Sequence, residues 1–134
     1  MPLELSQLYG LLDNKKASIH VGHLPAEVQE HLGSQTNLVH LSSPSLIHMM
    51  AEHKDLTLFD FLAIPEMIAK GLWIADRASA CCISYLSAHD GKHYKGAVKA
   101  AAEGCEHYIS TFHRMGPRQT KALLKRGPEL RPHL

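Results

Sequence analysis

Cysteine is scarce in this chain. There are three, Cys81, Cys82 and Cys105, in 134 residues. The number is odd and two are neighbours, so neither a disulfide framework nor a CxxC zinc site is encoded. Free thiols in a reducing, cytoplasmic setting are expected. Aromatic residues are few as well, at 6%. Trp73 and the three Phe are too few, and too buried in pattern, for a base-stacking platform. No apolar run approaches the roughly 18 residues that a membrane-spanning helix needs. Met1-Pro2-Leu3-Glu4 lacks the basic start and apolar run of a signal peptide. There is no GxGxxG, no Walker loop and no HExxH, so neither a nucleotide cofactor nor a zinc centre is expected. His20 with His23, and His89 with His93, are loose pairs without an acidic cluster. Scattered surface histidines explain them better than a metal.

What is present is a chain of globular composition, 45% apolar and 20% charged. Residues 1–134 read as a single domain with one core. Histidine is abundant, with eleven copies. The net charge of +1 hides an asymmetry. Residues 1–66 hold three Lys and Arg against eight carboxylates, and residues 67–134 hold eleven against five. A basic second half suggests a polyanionic partner, although a solvated basic helix is the plainer reading.

The elements fall in two halves. A short helix is expected from Leu3 to Leu12, a strand over Ala17–Val21, a helix over Ala26–Leu32 and a strand over Asn37–Leu41. Ser43 and Pro44 suit the start of a helix in which Leu46, Met49, Met50 and His53 recur at helical spacing. Thr57 can cap the next helix, with Asp60 as capping-box partner. Pro65 should break that helix near Ile64, and Gly71 should close it. Strands follow over Leu72–Ala75, Cys81–Ser87, Lys92–Ala100 and Cys105–His113, joined by turns at Ala88-His89-Asp90-Gly91 and Ala101–Gly104. Gly116-Pro117 opens a basic helix running to Arg126. The fold class expected is α+β: a helical N-terminal half packed on an antiparallel sheet of three to four strands, with a C-terminal basic helix.

Alternation along the last two strands assembles a polar face. His93, Lys95, Ala97 and Lys99 share one side of the first strand. His107, Ile109, Thr111 and His113 share one side of the second. If Ala101 pairs with Cys105, Lys95 lies across from Thr111, and His93 across from His113. A shift of one residue would separate the sets. Such a patch suits phosphodiester chemistry without metal. Histidine supplies acid and base near neutrality, lysine or arginine neutralises developing charge, and a hydroxyl donates to a phosphate oxygen. A sheet face of solvated Lys and His is the alternative. His53 lies on the stripe of Leu46 and Met50, so a partly buried core histidine competes with one that reaches over the sheet edge.

Three segments, in order, resemble the phage-borne branch of the barnase–EndoU–colicin–RelE-like (BECR) nuclease superfamily. The first is Leu38-Val39-His40-Leu41-Ser42-Ser43 with Ser45-Leu46-Ile47-His48, leading to Glu52-His53-Lys54-Asp55-Leu56-Thr57. The second is Phe59-Asp60-Phe61-Leu62-Ala63-Ile64-Pro65-Glu66-Met67-Ile68. The third is His93-Tyr94-Lys95-Gly96-Ala97-Val98-Lys99, then His107-Tyr108-Ile109-Ser110-Thr111-Phe112-His113-Arg114 and Lys121 to Gly127. The match covers roughly residues 37–127. Lys54 stands where members carry a proline, and Gly96-Ala97 where they carry bulkier residues. The resemblance implies metal-independent cleavage of RNA by the neighbouring 2′-hydroxyl in a phage or toxin setting, with RNA and an immunity or antitoxin protein as partners. His53, Lys95, Thr111 and His113 then become the catalytic candidates. His93, Lys99, Arg114 and Arg118 become candidates for substrate binding. The rivals are a nucleic-acid-binding module without catalysis, a phage structural or interaction domain, and a histidine-based metal enzyme.

Overall fold

The computed structural model describes residues 3–75, 81–87, 92–101, 106–116, 118, 119, 122 and 129–131. Its elements in order are α1 (Leu5–Leu12), β1 (Ser18–His23), α2 (Ala26–Leu32), β2 (Leu38–Ser42), α3 (Ser43–Glu52), α4 (Leu58–Phe61), α5 (Ile64–Lys70), β3 (Leu72–Ala75), β4 (Cys81–Ser87), β5 (His93–Ala101), β6 (Glu106–Arg114) and β7 (Glu129–Arg131). The class is α+β. The expected turns at residues 88–91 and 102–104 lie outside the described residues. Arg118, Gln119 and Ala122 are helical, and the rest of the expected basic helix lies outside the described residues.

The sheet is larger than the sequence predicts, and it is mixed. Seven strands run in the order β1-β2-β6-β5-β4-β3-β7. Neighbours are antiparallel except β2 and β6, which meet in parallel at His40 and Tyr108. The expectation of three to four antiparallel strands missed that the two short N-terminal strands join the same sheet, and that β7 adds a seventh strand beside β3. β2 finds its second partner, β6, about seventy residues away, and such pairing leaves no local signal.

Local chemistry sets the helix ends. Ser42, one residue before the expected cap, accepts from the Ser45 amide at 3.3 Å. Ser43 is instead buried, and its hydroxyl donates to the Leu11 carbonyl at 2.6 Å, joining α1 to α3. Thr57 and Asp60 form the anticipated capping box at α4. Pro65 sits in the first turn of α5, where a missing N–H costs nothing.

One face of the sheet meets the helices. Ile19, Val21, Val39, Leu41, Trp73, Tyr94, Val98, Ile109 and Phe112 are buried there with Leu46, Met49, Phe61, Ile64, Met67 and Ile68. The other face of β1, β2, β5 and β6 is exposed or half-buried. The sheet curls, so α5 packs against β1, β4 and β5 together. Two glycines permit this approach. A Cβ on Gly22 would stand 3.0 Å from Ile68, and one on Gly96 would collide with the Met67 methyl and stand 3.0 Å from its sulfur. The small residue at position 96 is therefore explained by packing against α5.

Asp60 knots α4 to the sheet. It is 3% exposed. Its carboxylate accepts from Tyr94 Oη (2.6 Å), Arg114 Nη2 (2.8 and 2.9 Å), Arg114 Nε (3.2 Å) and the Thr57 amide (2.8 Å). Burial opposes its ionisation most strongly, but the bonds from Arg114, Tyr94 and Thr57, with the guanidinium charge, outweigh it, and its pKa lies below the ordinary value. A carboxylate with a lowered folded-state pKa stabilises above its unfolded pKa and loses that contribution as pH falls through the folded value.

Asp60→Ala should therefore destabilise the fold by about 3–5 kcal/mol in urea titrations, because it leaves Arg114 and Tyr94 without their partner. The wild type should lose stability below about pH 4, and the variant should lose less over that interval. Gly96→Val should cost about 1–3 kcal/mol through overpacking against Met67; an unchanged urea midpoint would contradict the close approach of α5.

Candidate active site

The β5–β6 hairpin carries most of the candidates, and a bulge decides how they face. Ala101 pairs with Glu106 and Val98 with Ile109, but Ala97 pairs with Thr111, leaving Ser110 as the extra residue. Its hydroxyl donates to the Ala97 carbonyl at 3.2 Å. A bulge of this kind reverses the alternation beyond it. His107 and Ile109 are buried on the helix side, and Phe112 joins them. Thr111 and His113 lie on the opposite side with Lys95.

Two expectations are corrected here. Lys95, and not His93, lies across from His113, and Ala97 takes the place expected of Lys95 opposite Thr111. The turn pairing is offset by one residue and the bulge adds another, so the parity of Lys95 and His113 survives. The second correction is His107. It does not share the polar face: it is fully buried, with Nδ1 donating to the Leu38 carbonyl (2.9 Å) and Nε2 bonded to the Ser34 hydroxyl (2.6 Å). It ties β6 to the loop before β2.

His53 caps the C-terminus of α3, with its amide donating to the Met49 carbonyl at 2.9 Å. β2 ends at Ser42, whereas β6 continues to Arg114. α3 packs against β6 and brings His53 onto His113. The two imidazoles stack with centroids 5.0 Å apart and planes at 26°. His53 is half-buried and meets the sheet from a helix end.

His113 is half-buried. Its Nδ1 donates to the Arg114 carbonyl at 3.0 Å, an assignment that follows from the acceptor and leaves Nε2 as the proton-accepting atom. Burial is the main influence on its pKa and lowers it. The carbonyl bond and Asp55 push it up, His53 and Lys95 push it down, and the net result is below 6.5. At neutral pH the ring is a base carrying a lone pair, beside a second imidazole and a lysine.

The remaining candidates are dispersed. Thr111 is exposed on the same face, one alternation before His113. Lys99 pairs with Tyr108, farther along the hairpin. His93 opens β5, two residues before Lys95, and its carbonyl accepts from the Met115 amide at 2.8 Å. Arg114 has two of its three guanidinium nitrogens on Asp60, which holds it charged, so it acts first as a strut. Arg118 is exposed and helical, and no described contact joins it to the cluster.

Other residues were given no site role by the sequence. Asp55 acts electrostatically on His113. His20, His40 and Tyr108 form a row of touching rings on β1, β2 and β6, with centroids 4.6 and 5.5 Å apart. The pairing of β2 with β6 creates that row, and no spacing motif could have shown it. His23 instead meets the Asn37 side chain at 3.3 Å. Among the described residues no three His, Cys, Asp or Glu side chains are grouped to hold a metal ion, and no helix is long and apolar enough to cross a membrane. No family model, no curated protein and no solved structure matches the chain.

In an NMR titration His113 should release its proton below 6.5. Asp55→Asn should lower that midpoint further, because the carboxylate favours the charged ring. A midpoint above 6.5, or no response to Asp55→Asn, would contradict the environment described.

Proposed function

We propose that this chain is a metal-independent endoribonuclease whose centre is His53, His113 and Lys95. The observation that carries the reading is the stacked imidazole pair beside a lysine, on the sheet face that is exposed or half-buried. One ring takes the proton of the 2′-hydroxyl as its oxygen attacks phosphorus. The other gives a proton to the departing 5′-oxygen. Lys95 neutralises charge on the phosphorane, and Thr111 donates to a phosphate oxygen. The products are a 2′,3′-cyclic phosphate and a 5′-hydroxyl. His113 suits the base role because its lowered pKa keeps Nε2 unprotonated at neutral pH.

The resemblance to BECR nucleases supports the same chemistry, with a phage or toxin setting, a cytoplasmic site of action and an immunity or antitoxin protein as partner. Lys99, His93 and a basic C-terminal helix bearing Arg118 would hold the RNA backbone, with strong salt dependence. Binding without cleavage is the competing reading, and turnover separates the two.

The test is total RNA incubated with the purified chain in EDTA. The wild type should generate 2′,3′-cyclic phosphate ends, and Lys95→Ala and His113→Asn should each slow cleavage by about 10²–10⁴-fold while remaining folded. The acidic limb of the rate profile should fall below pH 6.5, where His113 gains its proton. Intact RNA retained on a low-salt gel would establish a binding module; unchanged rates in both variants would remove the centre from consideration.

A further inference from the structure

The row of rings beside the catalytic cluster has no part in the proton transfers above. His20 is exposed, and His40 and Tyr108 are half-buried, on the face opposite the helices. Each ring sits on a neighbouring strand, so the row crosses the sheet instead of following one strand. Lys99 extends it on β5, directly across from Tyr108. At its other end His20 and His40 border a cleft of about 280 Å³ with Lys16, Gln7, Ser18 and Ile19.

Burial and the neighbouring His20 hold the pKa of His40 below the ordinary value. A neutral imidazole is a better stacking surface than a phosphate ligand. The Tyr108 hydroxyl donates to Glu106 at 3.0 Å, which restrains the phenol. Lysines flank the row at Lys16 and Lys99, and Lys95 stands farther along the same face. Rings in the middle and ammonium groups at the margins match a strand whose bases are flat and whose backbone is anionic. Tyr108 and His113 lie on one side of one strand, on the order of 15 Å apart along β6, within the reach of a short oligonucleotide.

We infer that His20, His40 and Tyr108 are a base-stacking platform for single-stranded RNA, with Lys16 and Lys99 on the flanking phosphates. The inference rests on the ribonuclease reading only for the identity of the strand. It also revises the expectation from composition: Trp73, Phe61 and Phe112 are buried, Phe59 is exposed on α4, and histidine with tyrosine forms the row.

The test uses a fluorescent octamer of 2′-O-methyl RNA, which lacks the attacking hydroxyl, beside an abasic strand of the same length and charge. The wild type should bind the base-bearing strand about tenfold more tightly than the abasic one. Tyr108→Ala and His40→Ala should each abolish most of that preference, with abasic binding unchanged. Tyr108→Phe should retain it, and covers the case in which an alanine variant unfolds. Equal binding of the two strands by the wild type, or full preference in both alanine variants, overturns the platform. Cleavage of ordinary RNA in EDTA is read separately. A chain that cuts RNA but shows no base preference loses the platform and keeps the centre; a chain that prefers bases but never cuts keeps the platform and loses the nuclease reading.

Discussion

Ser110 is the pivot of this structure. Without the extra residue, β6 would keep strict alternation from His107 to Arg114. Phe112 would then leave the core, and Thr111 and His113 would follow His107 and Ile109 to the helix side. The bulge lets one strand serve two demands. Its first part buries His107 and Ile109, and its second buries Phe112 against Phe61 and Tyr94 at 5.1 and 5.3 Å. The imidazole of His113 is left on the open face, opposite Lys95.

The remainder of the fold holds that face in place. The Asp60 knot fastens α4 to β5 through Tyr94 and to β6 through Arg114. Gly22 and Gly96 let α5 lie close inside the curled sheet. The early end of β2 leaves the second half of β6 to α3, whose last turn delivers His53. Stability and site geometry are thus connected. The arginine following His113 in sequence is the one that locks the strand to a buried carboxylate, and His113 bonds to that arginine's own carbonyl.

Charge is distributed accordingly. The acidic first half of the chain supplies Asp60 and Asp55, which lie against basic residues of the second half. Lys16, Lys95 and Lys99 stand on the face opposite the helices or at its margin. Partial burial keeps His40 and His113 below the ordinary histidine pKa, and both stand on the face that carries Lys95 and Lys99. Four of the histidines meet other rings there, His20 with His40 and His53 with His113.

Much was legible locally. Short-range chemistry determined α2 and β3 to the residue, the Thr57–Asp60 capping box, the break before α5 and the alternation of β5, because caps, prolines and period-two patterns act within a few positions. The sequence also carried His53, Lys95 and His113 as a plausible group. Their contact could not be read from it. It depends on the bulge, on a parallel pairing across about seventy residues, and on α3 filling the place of a missing strand. Arg114 shows the same limit: the resemblance suggested a substrate-binding role, and the buried Asp60 makes it a strut. The row of His20, His40 and Tyr108 exists only because β6, distant in sequence from β1 and β2, lies beside β2 in the sheet. Sequence determines periodicity and local chemistry, whereas register between distant strands is set by burial of the whole core, and only the tertiary structure resolves it.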